Sequence, residues 1–233
     1  GNGGSGSAVT TAPTPADDGA ELSWAFDYSS YGEYGMASAS EPVIVNGFVY
    51  LAVNRTLLKI DAQTGKVLEE APLASSISYT SRPVYAQGLI VIALDGGRVQ
   101  ALAADSLKTR WLTDEVSDCA QSSSTLTVRD GYVYVGTVDV VSDENRNTTY
   151  NNGTFTRINL LTGAISWRYT NSAEGYYWGG AAFSGDYAVI ATSAGTVEVV
   201  DAKTGVLASS LSLGVVVNSD CVASEDGSRV YLV

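Results

Sequence analysis

The feature that most constrains this chain is an internal repeat. A glycine stands at the start of a short apolar run at five places: Gly47, Gly88, Gly131, Gly185 and Gly227. The period is about 42 residues, and one interval is longer by about a dozen. The extra length is the polar stretch 142–153, SDENRNTTYNNG. A period of this size is typical of supersecondary units that bury their apolar faces by stacking on one another.

A second mark follows each apolar run. It reads LKIDAQTG at 58–65, TRINLLTG at 156–163 and VEVVDAKTG at 197–205. The second repeat has QALAADSL at 100–107, without the glycine. Four residues beyond the mark, Trp111 and Trp167 occupy a position that is Glu69 and Ser209 in the other repeats.

Each repeat therefore contains four short segments, A to D, of about five to eight residues. They are rich in β-branched and aromatic residues and are bounded by Gly, Asn or Asp, which is typical of strands joined by turns. Asn46-Gly47 and Asp130-Gly131 are strong hairpin signals. We predict an all-β fold, a β-propeller whose blades are four-stranded antiparallel sheets.

The two ends of the chain differ from the repeats. Residues 1–20 are rich in Gly, Ser, Thr, Pro and Asp, which indicates a flexible linker or a cloning tail, so the propeller is expected over 21–233. Residues 21–28, ELSWAFDY, resemble a D segment, and residues 219–233 supply an A and a B segment. This arrangement predicts about four full blades with parts of another, and favours a fragment of a larger ring.

Composition excludes several functions. Asp and Glu number 25 against 13 Lys and Arg, so the net charge is −12 and no nucleic-acid partner is expected. Histidine is absent, which removes Ser–His and Cys–His catalytic pairs and imidazole metal ligands. No run approaches the roughly 18 apolar residues of a membrane span.

Strand order predicts where a binding surface lies. In an A-B-C-D meander, the D-to-A and B-to-C loops emerge on one face, and the tight A-to-B and C-to-D turns emerge on the other. Loops on a rigid scaffold commonly carry function, and aromatic side chains suit recognition surfaces. The candidate binding face consists of Tyr28, Tyr31, Tyr34, Tyr79, Tyr150, Tyr176, Tyr177 and Trp178. The alternative is that the cluster at 176–178 folds inward and plugs the channel mouth.

The repeats VYLAVNRTLLKIDAQTGKVL, TFTRINLLTGAISWRY and YAVIATSAGTVEVVDAKTGVL resemble those of the quinoprotein-type β-propellers. That group includes the pyrroloquinoline-quinone dehydrogenases and the lipoprotein of the bacterial barrel-assembly machinery. The resemblance covers nearly all of residues 24–233. Because propellers of this group generally have seven or eight blades, it implies an incomplete fragment of a seven- or eight-bladed ring. It implies that Trp24, Trp111 and Trp167 pack between adjacent blades. It also implies a bacterial source, in which Asn-x-Ser/Thr triplets carry no glycan.

The same resemblance raises the alternative of a partial or degenerate quinoprotein oxidoreductase. The alcohol dehydrogenases of that family use a vicinal cysteine pair, whereas Cys119 and Cys221 lie far apart in this sequence. Other members of that family use a histidine as the catalytic base, and this sequence contains no histidine. Free buried cysteines are favoured over a disulfide, and a Ca²⁺ site among Asp139, Asp143, Glu144 and Asn145 is a weaker alternative.

The sequence therefore predicts a non-catalytic binding or scaffold module with no cofactor, no metal and no catalytic residue. Its partner is expected to be a protein, a peptide or a glycan. We expect the protein to be extracellular or on the bacterial cell surface, with a lipid anchor carried by a removed N-terminal segment.

Overall fold

The computed structural model describes residues 21–32, 37–77, 81–116 and 124–232. The expected linker at 1–20, together with Tyr34, Tyr79 and Cys119, lies outside these ranges. The described residues form an all-β protein, in which the one helical element is a single 3₁₀ turn at Ser29–Tyr31. Among them, no helix has the length and apolar character needed to cross a membrane.

Four sheets have four strands each, in sequential antiparallel order. Sheet 1 contains β1 (Val43–Val45), β2 (Phe48–Val53), β3 (Thr56–Asp61) and β4 (Val67–Pro72). Sheet 2 contains β5 (Val84–Ala86), β6 (Leu89–Leu94), β7 (Arg98–Ala103) and β8 (Thr109–Leu112). Sheet 3 contains β9 (Thr127–Arg129), β10 (Tyr132–Ser142), β11 (Thr148–Asn159) and β12 (Ile165–Asn171).

Sheet 4 contains β13 (Ala182–Ser184), β14 (Tyr187–Ala191), β15 (Thr196–Asp201) and β16 (Leu207–Ser212). Sheet 5 has two strands, β17 (Val222–Ala223) and β18 (Val230–Tyr231). The predicted propeller blades are confirmed, since each four-stranded sheet is one repeat. Residues 21–28, expected to resemble a D strand, contain no strand.

The core lies between successive sheets. One apolar cluster joins sheets 1 and 2, a second joins sheets 2 and 3, and a third joins sheets 3 and 4. All six residues of β6 are buried, because both faces of this strand are covered by neighbouring sheets. The chain thus buries its apolar runs by stacking sheets face to face, as the repeat predicts.

The tight turns lie together on one side, which we call the turn face. In sheet 1, the amide of Ala62 in the β3–β4 turn donates to the carbonyl of Gly47 in the β1–β2 turn. Asn46 and Gly47 both have positive φ, as a two-residue hairpin turn with this twist requires. The opposite side, the loop face, carries the longer connections; there the amide of Tyr176 donates to the carbonyl of Thr137.

The Asp/Asn-x-x-Thr-Gly mark forms the turn between the third and fourth strands of a sheet. In sheet 1, one carboxylate oxygen of Asp61 accepts hydrogen bonds from the amides of Gln63 and Thr64 and from the Thr64 hydroxyl. The same contacts recur at Asn159 and at Asp201. The side chain thus closes its own turn, which explains why the mark repeats.

Candidate functional site

The aromatic residues of the loop face fall into two places. Tyr28 is exposed, whereas Tyr31 is half-buried and packs against the apolar cluster of sheet 1. The Tyr31 hydroxyl donates to Glu70 Oε1 at 2.6 Å, and this hydrogen bond raises the pKa of Tyr31 to about 12. The carbonyl of Tyr31 also accepts from Asn54 Nδ2. Tyr31 therefore helps to fix the N-terminal segment on sheet 1.

The second group consists of three rings in contact, above the junction of sheets 3 and 4. The rings of Tyr150 and Tyr177 have centroids 5.0 Å apart, and those of Tyr177 and Trp178 are 4.6 Å apart in an edge-to-face arrangement. Tyr177 is buried between the two half-buried rings. We call Tyr150, Tyr177 and Trp178 the aromatic cluster. It combines a fixed centre with two partly accessible edges.

Tyr176 points away from solvent and is fully buried. Its hydroxyl hydrogen-bonds to Glu198, a buried carboxylate that also accepts from the Tyr169 hydroxyl and from Asn171 Nδ2, both at 2.9 Å. Burial, followed by the charge of Glu198, raises the pKa of Tyr176. Tyr176 and Tyr177 are thus buried, and of residues 176–178 only Trp178 keeps part of its ring accessible.

The Tyr176 loop approaches sheet 3 very closely. A Cβ on Gly136 would lie 2.5 Å from the Cβ of Tyr176, and a Cβ on Gly175 would collide with Val138. Only glycine leaves room for this contact. The loop beneath the aromatic cluster is therefore packed directly against sheet 3.

Although residues 142–153 are polar, most of them belong to strands and not to an irregular loop. Strands β10 and β11 continue into it and pair from Tyr132↔Asn159 to Ser142↔Thr148, with one bulge between Thr137 and Asp139. The outer part is a two-stranded ribbon, because β9 pairs only with Tyr132–Tyr134 and β12 ends opposite Gly153. The ribbon carries Tyr150 to the aromatic cluster.

The polar side chains at the ribbon tip hydrogen-bond to one another and to the backbone of the turn. Asp143, one of the residues of the Ca²⁺ alternative, accepts hydrogen bonds from the amides of Asn145 and Asn147 and from Asn147 Nδ2. These bonds lower its pKa, the side-chain bond from Asn147 most of all. Among the described residues, no group of three or more acidic, cysteine or histidine side chains is arranged to hold a metal ion.

Three tryptophans lie between neighbouring units, where the resemblance implied. Each indole covers the glycine of the following turn mark so closely that a Cβ there would lie within 2.9 Å of ring carbons. Each indole N–H also donates to a carbonyl of the same turn at 2.8–3.1 Å. The pairs are Trp24 with Gly65 and Ala62, Trp111 with Gly163 and Leu160, and Trp167 with Gly205 and Ala202.

An ionic network at the starts of the sheets was not foreseen from the sequence. Arg82, which precedes β5, contacts Glu41 at 3.0 Å, the Thr125 hydroxyl at 3.4 Å and Asp220. Asp220 also accepts from the amide of Gly180 at 2.7 Å. These residues precede the first strands of all five sheets, so one guanidinium links distant repeats.

Cys221 is a free, buried thiol, and burial raises its pKa to about 12. At neutral pH it is therefore protonated, and a protonated thiol is a poor nucleophile. Its position in an apolar cluster with Ala182, Ala191 and Val217 indicates a packing role.

Blades of this type, stacked through tryptophan–glycine contacts, define a β-propeller built of PQQ-like repeats. The family model of the outer membrane protein assembly factor BamB matches residues 9–142 and 79–219. Since these matches cover most of the chain, the protein belongs to this family. No curated protein sequence matches it significantly.

Solved structures agree on the fold. The quinohemoprotein alcohol dehydrogenase from Comamonas testosteroni matches with a TM-score of 0.62 at 13% identity, covering 79% of this chain and 37% of its own. The computationally designed Ika8 protein gives a TM-score of 0.61 at 15% identity, covering 82% and 56%. The Neurospora crassa Pan2 WD40 domain gives 0.59 at 14% identity, covering 83% and 58%. The chain thus spans less than two thirds of each of these structures, and the likeness concerns fold alone.

Proposed function

We propose that this protein is a non-catalytic protein-binding module of the bacterial envelope, and that it binds its partner at the aromatic cluster of the loop face. The family name, outer membrane protein assembly factor, supports a protein partner. The observation that carries the proposal is the ribbon of β10 and β11, which brings Tyr150 onto Tyr177, the ring that also contacts Trp178.

The arrangement suits recognition rather than chemistry. Tyr177 is held by the aromatic rings on either side, and the preceding residue is anchored to Glu198. A fixed aromatic surface loses little conformational entropy on binding, and rings of this kind dominate many protein interfaces. The exposed Val141 on the ribbon adds apolar area to this surface.

The binding proposal is tested with an unfolded outer membrane β-barrel protein, labelled with a fluorophore and diluted from urea, with anisotropy as the readout. We expect Trp178→Ala and Tyr150→Ala to weaken binding by about 10-fold or more, the loss typical of an interface hot spot. Tyr187→Ala is the matched control, because Tyr187 is exposed on sheet 4 outside the cluster. Equal affinity of all three variants and the parent would contradict the proposal.

The non-catalytic part of the proposal has its own test. The chain has no histidine, and its buried thiol Cys221 is protonated at neutral pH. We expect no alcohol or sugar oxidation after incubation with pyrroloquinoline quinone and Ca²⁺, followed with an artificial electron acceptor. Turnover above the cofactor-only background would overturn it in favour of the oxidoreductase alternative.

A further inference from the structure

The turn face contains a cleft that the sequence did not predict. It has a volume of about 690 Å³ and runs from the junction of sheets 1 and 2 across the β5–β6 turn to Leu161 of sheet 3. Ligand sites commonly occupy about 300–1,000 Å³ and combine apolar walls with a few placed polar groups. Phe48, Tyr50 and Tyr85 supply aromatic walls.

The floor of the cleft is fixed by internal contacts. The Tyr50 hydroxyl donates to the carbonyl of Ala104 at 2.7 Å. Lys59 Nζ donates to the carbonyl of Asp105 at 2.8 Å, lies 3.4 Å from Glu69 Oε1 and stands 4.7 Å from the Phe48 ring centroid. These side chains are therefore pre-organised before any ligand arrives.

The rim carries four exposed planar polar groups: the amides of Asn46 and Gln87, the carboxylate of Asp105 and the guanidinium of Arg110. The Ser106 hydroxyl donates to Asp105 at 2.8 Å, and this bond, helped by Arg110, lowers the pKa of Asp105. At neutral pH the rim thus offers both donors and acceptors within one opening.

Charges in the cleft compensate each other. Lys59 is paired with Glu69, and Arg110 acts electrostatically on Asp105. An ionic ligand would gain little from such a balanced set, whereas a neutral ligand with many hydroxyls and an apolar ring face would use both the rim and the aromatic walls.

We propose that this cleft binds a neutral saccharide of one to three sugar units. Its hydroxyl groups exchange hydrogen bonds with Asn46, Gln87, Asp105 and Arg110, and its C–H face packs on Tyr85. The site is separate from the aromatic cluster, which lies on the opposite face of the propeller.

The corresponding position between sheets 3 and 4 provides an internal comparison. That pocket holds about 450 Å³ and is lined by Tyr134, Arg157 and Lys203 where the larger cleft has Tyr50, Lys59 and Asp105. Arg129 stands at the position of Val45, with its guanidinium 4.8 Å from the Phe183 ring centroid. A small side chain at 45 therefore leaves open the space that an arginine occupies in the other pocket.

Isothermal titration calorimetry with maltose, cellobiose and N,N′-diacetylchitobiose tests the proposal on the full chain. We expect at least one of them to bind with a Kd of about 1 mM or tighter. Val45→Arg, which copies the residue of the smaller pocket, and Tyr85→Leu are each expected to weaken that binding by at least about 10-fold. Phe183→Leu, the change matching Tyr85→Leu in sheet 4, should leave it unchanged.

Circular dichroism and thermal unfolding confirm that each variant remains folded. Absence of binding for all three sugars would overturn the proposal, as would unchanged affinity in Val45→Arg. Loss of sugar binding in Trp178→Ala would also overturn it, by placing the site on the loop face. Because Trp178 belongs to the other face, failure here leaves the protein-binding proposal to be decided by its own anisotropy experiment.

Discussion

The junction of sheets 1 and 2 and the junction of sheets 3 and 4 share one packing arrangement but use different side chains. Tyr50 pairs with Lys59 across β2 and β3, as Tyr134 pairs with Arg157 across β10 and β11. Each tyrosine hydroxyl donates to a turn carbonyl of the next sheet, that of Ala104 at 2.7 Å or that of Ala202 at 3.4 Å.

The difference is the tryptophan. At the junction of sheets 3 and 4, Trp167 shares the carbonyl of Ala202 and covers Gly205. At the junction of sheets 1 and 2, Glu69 takes the place of the tryptophan and Leu107 takes the place of the glycine. Leu107 keeps the positive φ of 50° and is buried in the apolar cluster. Indole and glycine are therefore exchanged together at this junction, since a Cβ under the ring has no space.

The largest expected effect concerns the indole. Trp167→Ala should lower the free energy of unfolding by about 3 kcal/mol, because it removes a large packed side chain and leaves a cavity. Glu69→Ala at the equivalent position should cost less than about 1 kcal/mol, since Glu69 is well exposed and Lys59 keeps its bond to Asp105. Urea unfolding followed by circular dichroism measures both, and similar losses would refute the distinction.

A transplant sharpens the comparison. Glu69→Trp alone should destabilise the protein, because the indole would meet the Cβ of Leu107, and Leu107→Gly alone loses buried apolar surface. In the double variant the two changes fit each other, so we expect a favourable coupling of about 2 kcal/mol in a double-mutant cycle. Additive effects would show that the junction does not follow the tryptophan–glycine rule.

The smallest effect is a difference in alkaline stability. Glu198 of sheet 4 accepts hydrogen bonds from the hydroxyls of Tyr169 and Tyr176. Its equivalent in sheet 2 is Gln100, which accepts from the amide of Ala74 and donates to the Thr109 hydroxyl. Burial, helped by Glu198, raises the pKa of Tyr169 from 10.0 to about 12. The stability from this raised pKa is complete below pH 10 and is lost as the pH rises towards 12.

Tyr169→Phe removes this titrating group and should flatten the fall of the unfolding free energy over that interval. Phenolate absorbance and urea unfolding at several pH values provide the measurement, with the conservative Gln100→Glu as the converse change at the other junction. An identical pH dependence in parent and Tyr169→Phe would contradict the assignment.

The sequence allowed the blades to be predicted because their signals are local. The Asp61 turn is closed by contacts within three residues, and the hairpin glycines lie next to the strands they join. The outer ribbon was missed because exposed strands carry polar residues on both faces, so 142–153 has no apolar alternation.

The features that the sequence did not predict depend on contacts between residues far apart in the chain. Burial of Tyr176 depends on Glu198 in the next sheet, and the cleft depends on how two sheets meet. Both exchanged residues at the junction of sheets 1 and 2 can be read from the aligned repeats. Glu69 stands where other repeats have the tryptophan, and Leu107 ends the mark at 100–107 where other repeats have the glycine. Their connection requires knowing that the fourth strand of one repeat covers the turn of the next.

The self-closing turn of the repeat has a consequence for folding kinetics. Asp61, Asn159 and Asp201 bring two strands together through contacts of short sequence separation, which lowers the entropy lost in reaching the transition state. Sheet 2 has Ala103 at this position and therefore lacks the side-chain acceptor. We expect the β7–β8 hairpin to acquire hydrogen-exchange protection later during refolding than its three counterparts.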